Sequence, residues 1–130
     1  MRWTFLVRVM LLVTSLRSGL LFAQSTKPND VSINGPTALA VYKDTYLFVV
    51  EGGGSSDRVL RIDLKNSEVT PVAGNAKDCC YEEGALATEV GFGYINSIAV
   101  DGKGNLLIAD WHHVRKVDAQ TGRIATPLSS

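Results

Sequence analysis

Short apolar runs recur along this chain in the same order twice. Strands are predicted, in two sets of four, near 37–42, 46–51, 58–63 and 67–73, and again near 97–101, 105–110, 113–118 and 122–128. Turn signals separate the runs, among them the glycine-rich segment 52–57 and the segment Asp101–Gly104. The pattern therefore predicts an all-β chain with two units of four short antiparallel strands.

The second and third strands of each unit differ in pattern. The second strands are almost continuously apolar at Tyr46–Val50 and Leu106–Ala109, as expected for strands that are buried on both faces. The third strands alternate apolar residues with basic ones such as Arg61 and Arg115, which predicts that they lie nearer an outer edge with the basic side chains in solvent. Four short strands per repeat are typical of a β-propeller blade, which cannot bury both its faces alone.

The spacing of the two units predicts a long loop between them. Equivalent positions Leu39 and Ile98 are 59 residues apart, whereas a blade needs about 40–45 residues. The predicted organisation is a linker at 24–34, a first blade at 35–74, an inter-blade loop at 75–94 with a helical turn near 85–90, and a second blade at 95–130. Long loops on rigid β scaffolds often carry binding.

Particular motifs in both units resemble a known family. The second unit contains Ser97-Ile98-Ala99-Val100-Asp101, Asn105-Leu106-Leu107-Ile108-Ala109-Asp110 and Arg115-Lys116-Val117-Asp118, and the first contains Gly35-Pro36, Leu39-Ala40-Val41, Arg58-Val59 and Ile62-Asp63. On these residues the chain resembles the NHL-repeat family of β-propellers over roughly residues 35–128. The turn that carries Asn-His-Arg in the family is shortened to Trp111-His112-His113 here. Because family members mostly form six-bladed rings, the resemblance implies a propeller fragment of about two blades from a six-bladed type.

The segment 1–23 has the pattern of an export signal. Arg2 and Arg8 form a basic start, an apolar run follows at Val9–Val13, and Ala23 ends a plausible cleavage site. Arg17 departs from this pattern, so a short membrane anchor and a mispredicted start are the alternatives. The segment lacks the roughly 18 uninterrupted apolar residues of a membrane span. We therefore predict a signal peptide cleaved after Ala23, a secreted or periplasmic protein, and no stable membrane span after cleavage.

The charge balance disfavours a nucleic-acid partner. The chain has 13 basic and 13 acidic residues. Three of its arginines precede residue 24, so the rest of the chain has a net charge of −3. A mildly acidic module lacks the basic patch that binds phosphates. An RNA-binding NHL propeller is accordingly the least favoured alternative.

Two pairs of adjacent residues are candidates for site chemistry. Cys79 and Cys80 lie in the inter-blade loop and form a candidate disulfide; an intermolecular bridge, bonds to cysteines of a missing part of the protein, and two free thiols are the alternatives. His112 and His113 would point to opposite faces of a strand, which favours a role in the turn over a metal site. The segment Asp101–Asn105 has some likeness to a calcium loop, but a hairpin turn accounts for its residues. We expect no cofactor.

The sequence favours a noncatalytic protein-binding or scaffold module. Its candidate interaction surface comprises Tyr81, Tyr94, Trp111 and His112. The main alternative, implied by the resemblance, is the amino-terminal part of a metal-dependent propeller enzyme of the lyase or lactonase type. Two blades leave apolar faces, so a protein partner or self-association is expected.

Three outcomes would resolve these uncovered faces: assembly of copies into a ring, completion by another chain, and a truncated product that folds poorly. The sequence favours the truncated product, because the last strand stops at Ser129-Ser130 where the first unit continues to Ala73-Gly74 and a linker.

Overall fold

Two four-stranded antiparallel sheets make up the fold. The computed structural model describes residues 32–53, 56–76 and 83–129. The first sheet contains β1 (Pro36–Tyr42), β2 (Tyr46–Glu51), β3 (Arg58–Asp63) and β4 (Val69–Ala73), and the second contains β5 (Ile95–Val100), β6 (Leu106–Asp110), β7 (His113–Val117) and β8 (Ile124–Ser129). Each strand pairs with the next along the chain. The all-β prediction is confirmed, and the two sheets, called blade 1 and blade 2 below, are consistent with propeller-like blades.

Smaller expectations have mixed outcomes. The helical turn expected near 85–90 is a 3₁₀ turn at Ala87–Glu89. The predicted signal peptide at 1–23, most of the predicted linker, and Cys79, Cys80 and Tyr81 lie outside the described residues. No helix in the described part of the chain is long and apolar enough to cross a membrane.

The two blades have the same strand register. β1 pairs with β2 from Pro36 opposite Glu51, and β5 pairs with β6 from Ile95 opposite Asp110. The register shifts immediately after Pro36 and after Ile95, so even the irregularity of the first strand is repeated in both blades. The pairing therefore assigns each residue of blade 1 an equivalent in blade 2. The offset along the chain is smaller for the last two strands than for the first two, because blade 2 has the shorter connection between its second and third strands.

A single core joins the blades. Each sheet has two faces. The front face carries Phe48 and Val50 in blade 1. The back face is the opposite one, and in blade 2 it carries Leu106 and Ile108. The front face of blade 1 and the back face of blade 2 contribute to one buried hydrophobic cluster. Burying a side chain such as Phe48 or Ile108 contributes about 1.5–3 kcal/mol. Stacking of the blades is thus a main source of stability.

Carboxylates close the turns at one end of the strands. We call this end of the sheets the turn edge. Asp101 Oδ1 accepts hydrogen bonds of 2.9 Å from the backbone N–H groups of Lys103 and Asn105. Asp118 Oδ1 accepts from the backbone N–H groups of Gln120, at 3.0 Å, and Thr121, at 2.8 Å. The segment Asp101–Asn105 is therefore a hairpin turn, as predicted, whose carboxylate binds its own backbone.

These turns lower the pKa values of two acids. The side-chain hydrogen bond from Asn105, followed by backbone hydrogen bonds, lowers the pKa of Asp101. The backbone and hydroxyl groups of Thr121 lower the pKa of Asp118. Both turns of blade 2 thus favour the ionised carboxylate.

Candidate functional site

The opposite edge of the sheets carries the sequence-predicted contact residues. We call it the loop edge and define it by Gly52–Gly53, Ser56–Asp57, Gly93–Tyr94 and Trp111–His112, which connect β2 to β3, lead into β5 and connect β6 to β7. Three of the four predicted contact residues lie here. Tyr81 is outside the described residues. The loop edge is therefore the candidate site.

A buried carboxylate, Asp57, ties the two blades together at this edge. Its side chain is fully buried. Oδ1 accepts from the backbone N–H of Gly53 at 3.0 Å, and Oδ2 accepts from that of Ile95 at 2.9 Å. The Asp57 N–H donates to the Gly93 carbonyl at 3.5 Å. Because Gly53 belongs to blade 1 and Ile95 begins blade 2, Asp57 fixes the entry of the second blade against the first.

Glycine is required beside this carboxylate. Gly52 has φ +150°, a conformation that L side chains rarely adopt. A Cβ there would lie 2.2 Å from Asp57 Oδ1. The glycine-rich segment, predicted only as a turn, therefore also makes room for a buried acid. Sequence reasoning missed Asp57, although an acid between a glycine run and a strand was the available signal.

Each second strand ends in a buried acid with a basic partner. Glu51 forms an ion pair with Arg58, its cross-strand neighbour, and accepts a hydrogen bond of 3.2 Å from the Asn34 N–H. Asp110 Oδ2 lies 2.9 Å from Arg115 Nε. These two acids occupy equivalent positions and are both about 5% exposed. The repeat therefore places a buried carboxylate at the same corner of each blade.

Arg115 contradicts the expectation that the basic side chains of the third strands reach solvent. It is 7% exposed. Its guanidinium carbon lies 5.3 Å from the centroid of the Phe92 ring. Asp110 neutralises the charge and the aromatic ring covers it, so the neighbouring residues compensate for the burial. By contrast, Arg61 is half-buried and lies over the Tyr46 ring at 4.8 Å.

Trp111 is the most unusual residue of the loop edge. It is 70% exposed and has φ +32° in the two-residue turn between β6 and β7. A bulky residue at positive φ is an outlier that the surrounding structure must hold in place. The indole packs over Gly93, where an added Cβ would lie 3.2 Å from Nε1. A large apolar ring is thus presented to solvent from a constrained turn.

Two further exposed residues, Tyr94 and His112, are the chain neighbours of Gly93 and Trp111. Tyr94 directly follows the glycine under the indole and is 45% exposed. His112 follows Trp111 and is exposed. We call Tyr94, Trp111 and His112 the aromatic patch. Tryptophan and tyrosine are enriched among the residues that dominate protein–protein binding energy, so the patch suits contact with a protein surface.

Other site chemistry has less support. Within the described ranges, no group of three or more His, Cys, Asp or Glu residues is placed to hold a metal ion. A cavity of about 250 Å³ lies on the seam between the blades, with Arg61 and Asp118 as its charged lining residues. This volume falls below the roughly 300–1,000 Å³ of typical ligand sites. The aromatic patch is therefore the stronger candidate.

The chain matches no known protein-family model, and the search of curated proteins finds no match. Support for a function consequently comes from the loop edge and from the motifs of the two blades.

Proposed function

We propose that this chain is an exported, noncatalytic protein-binding module of the NHL-repeat type, and that it contacts its partner through the aromatic patch. Two lines of support combine. The motifs of the second blade resemble NHL repeats, and the two sheets repeat one register strand by strand. In this proposal, the two blades belong to a larger, six-bladed propeller.

Trp111 carries the proposal. A tryptophan that is 70% exposed places a large apolar surface in water. Its positive φ adds a local backbone cost, and such outliers cluster at functional sites. Contact with a partner would bury the ring and turn this exposed surface into binding energy. Tryptophan residues at the centre of interfaces contribute about 2–4 kcal/mol on truncation.

The loop edge also has the rigidity that binding requires. Asp57 fixes Gly53 and the start of β5 through two hydrogen bonds, and Gly93 in turn supports the indole. A surface that is rigid before binding loses less conformational entropy when the partner arrives. The patch therefore stands on a fixed platform formed by both blades.

Affinity capture tests the binding function. The processed chain is immobilised and exposed to extracellular medium of the producing cells, beside Trp111→Ala and the control Leu86→Ala, which removes an exposed leucine elsewhere. We expect one protein to be retained by the wild type and by Leu86→Ala. Titration of that protein should show at least about 30-fold weaker binding to Trp111→Ala, the equivalent of about 2 kcal/mol. Equal binding to all three chains, or to none, contradicts the proposal.

Export has a separate test. The chain expressed with its own segment 1–23 should leave the cytoplasm and begin at Gln24, which intact mass and amino-terminal sequencing would show. A chain that stays in the cytoplasm with Met1 attached would contradict the export part alone.

A further inference from the structure

The back face of blade 1 is apolar at the same positions as the back face of blade 2, which packs against blade 1. Six pairs of equivalent positions show this, and both members are apolar in each pair: Leu39 and Ile98, Val41 and Val100, Leu47 and Leu106, Val49 and Ile108, Ile62 and Val117, and Val69 and Ile124. In blade 2 these residues contact the front face of blade 1 within the shared core.

These two back faces differ in burial. Ile124 is 1% exposed, whereas its equivalent Val69 is 37% exposed. Leu39 and Val41 are 67% and 55% exposed, while their equivalents in blade 2 are half-buried. Val49, Leu60 and Ile62, near the centre of the blade 1 face, are buried. On this face, the first strand β1 and the fourth strand β4 therefore expose apolar side chains to solvent.

The front faces show the complementary difference. Phe48, Val50 and Val59 on the front of blade 1 are buried in the seam. Their equivalents on the front of blade 2, Leu107, Ala109 and Val114, are half-buried. The front of blade 2 and the exposed first and fourth strands on the back of blade 1 thus carry residues equivalent to the two sides of the seam between the blades.

We propose that the front of blade 2 docks on the back of blade 1 of a second copy of this chain, and that copies close head-to-tail into a ring. A contact between two different surfaces of one molecule closes into a ring when the rotation per copy allows it. Propellers have about 4–8 blades. The six-bladed type, which rests on the proposed NHL character, gives a ring of three copies.

Charges support this seam at the turn edge. Between the two blades, Arg61 lines the seam cavity together with Asp118. Their equivalents at the outer faces are Lys116 on the front of blade 2 and Asp63 at the end of β3. Docking of a second copy therefore brings Lys116, which lies 4.0 Å from Asp101 of its own blade, towards Asp63, so that a base and an acid line the new seam as they line the observed one.

A second contact across the seam also has oppositely charged residues at the equivalent positions of the outer faces. Tyr42 Oη donates a 3.3 Å hydrogen bond to the Gly102 carbonyl across the seam. Continuing the shared register into the turns, the position equivalent to Tyr42 is Asp101, and the position equivalent to Gly102 is Lys43. The new seam would thus bring Asp101 of one copy near Lys43 of the next. Both predicted contacts join opposite charges.

Mass in solution tests the ring. The processed chain is examined by light scattering coupled to size exclusion and by native mass spectrometry, over a range of concentrations. We expect three times the protomer mass. Leu39→Asp should give a protomer with an unchanged circular dichroism spectrum, because this side chain is 67% exposed. Leu86→Ala, which shortens a leucine beside the cavity between the two blades of one copy and away from the outer faces, is the control and should keep the three-copy mass.

Charge reversal tests the seam itself. Lys116→Glu should weaken assembly at least about tenfold, and the double variant Lys116→Glu/Asp63→Lys should recover most of that loss. A protomer mass for the wild type at every concentration overturns the proposal, as does an oligomer that persists in Leu39→Asp. These outcomes are independent of partner capture through Trp111, so failure of the ring and failure of the binding function can be distinguished.

Discussion

Blade 1 and blade 2 have the same register but place equivalent side chains in different environments. Val69 is 37% exposed and its equivalent Ile124 is 1% exposed. Position 60 is a leucine in blade 1, and its equivalent in blade 2 is Arg115, which is buried against Asp110 and Phe92. The difference shows that a neighbouring blade decides how deeply the first and fourth strands of a face are buried. The strand's own pattern does not decide this.

The blades differ most at the loop edge. Blade 1 joins β2 to β3 through a glycine-rich segment that ends at the buried Asp57, whereas blade 2 joins β6 to β7 through Trp111 and His112 alone. The first connection serves the joint between the blades, and the second exposes an aromatic ring. Where the repeat departs from itself, it supplies the candidate binding surface.

The largest expected effect comes from the ion pairs at the ends of the second strands. Arg115→Ala should lower the free energy of unfolding by about 3–5 kcal/mol, because Asp110 would remain buried without its guanidinium partner. Arg58→Ala should cost less, about 1–2 kcal/mol, since the buried Glu51 carboxylate keeps its hydrogen bond from the Asn34 N–H and the exposed Arg58 position admits water. Urea denaturation followed by circular dichroism measures both, and equal losses would show that the two corners do not differ.

Truncating the equivalent outer-strand residues should give the next largest difference. Ile124→Ala should destabilise the fold by about 2–5 kcal/mol through lost core packing. Val69→Ala should cost less than about 1 kcal/mol. Both are measured in the Leu39→Asp background, in which the proposed docking of a second copy on the back face of blade 1 should not occur. A loss for Val69→Ala as large as that for Ile124→Ala would mean that this face is already fully covered.

Lowering the pH should destabilise the fold through the Asp101 turn of blade 2, by less than the substitutions above. Asn105 holds the folded-state pKa of Asp101 below its ordinary value of 3.8, so this carboxylate contributes stability above that value. The contribution is lost as the pH falls through the folded-state pKa. Asp101→Asn should therefore lower the urea midpoint at pH 7 and reduce the loss between pH 5 and pH 2.

The matched control for this experiment is Thr45→Ala, which removes a hydroxyl that donates to the Lys43 carbonyl in the corresponding turn of blade 1 but removes no ionisable group. It should leave the pH dependence close to that of the wild type. If Asp101→Asn keeps the wild-type pH dependence as well, protonation of Asp101 does not cause the loss of stability in acid.

The smallest stability effect is expected at Trp111. Trp111→Gly should change the free energy of unfolding by less than about 0.5 kcal/mol, because glycine adopts positive φ freely and offsets the lost packing on Gly93. Partner capture should nevertheless be lost. A loss of stability above about 2 kcal/mol, well beyond the usual effect of a surface substitution, would instead identify Trp111 as a structural residue of the turn.

Much of the backbone could be predicted from the sequence. The eight strands and the Asp101–Asn105 turn follow from local apolar runs and turn residues, which depend on neighbours along the chain. The burial of Asp57 and Arg115 could not be predicted in the same way, because it depends on groups contributed from elsewhere in the fold, such as Ile95 and Phe92. The sequence accordingly placed Arg115 in solvent.

The equivalence of the exposed faces to the two sides of the seam could not be predicted from the sequence either. It follows from the register of the two blades. Face equivalence of this kind needs the strand pairing, because a shift of one residue exchanges the two faces of a strand.

Native-state hydrogen exchange tests the central claim, that one shared core makes the two blades a single stable unit. The slowest amides of β2 in blade 1 and of β6 in blade 2 should exchange with the same opening free energy, and Ile124→Ala should lower both by the same amount, because Phe48 and Ile108 belong to one cluster. If Ile124→Ala lowers protection in β6 while β2 keeps its wild-type protection, the blades are independent and the account is wrong.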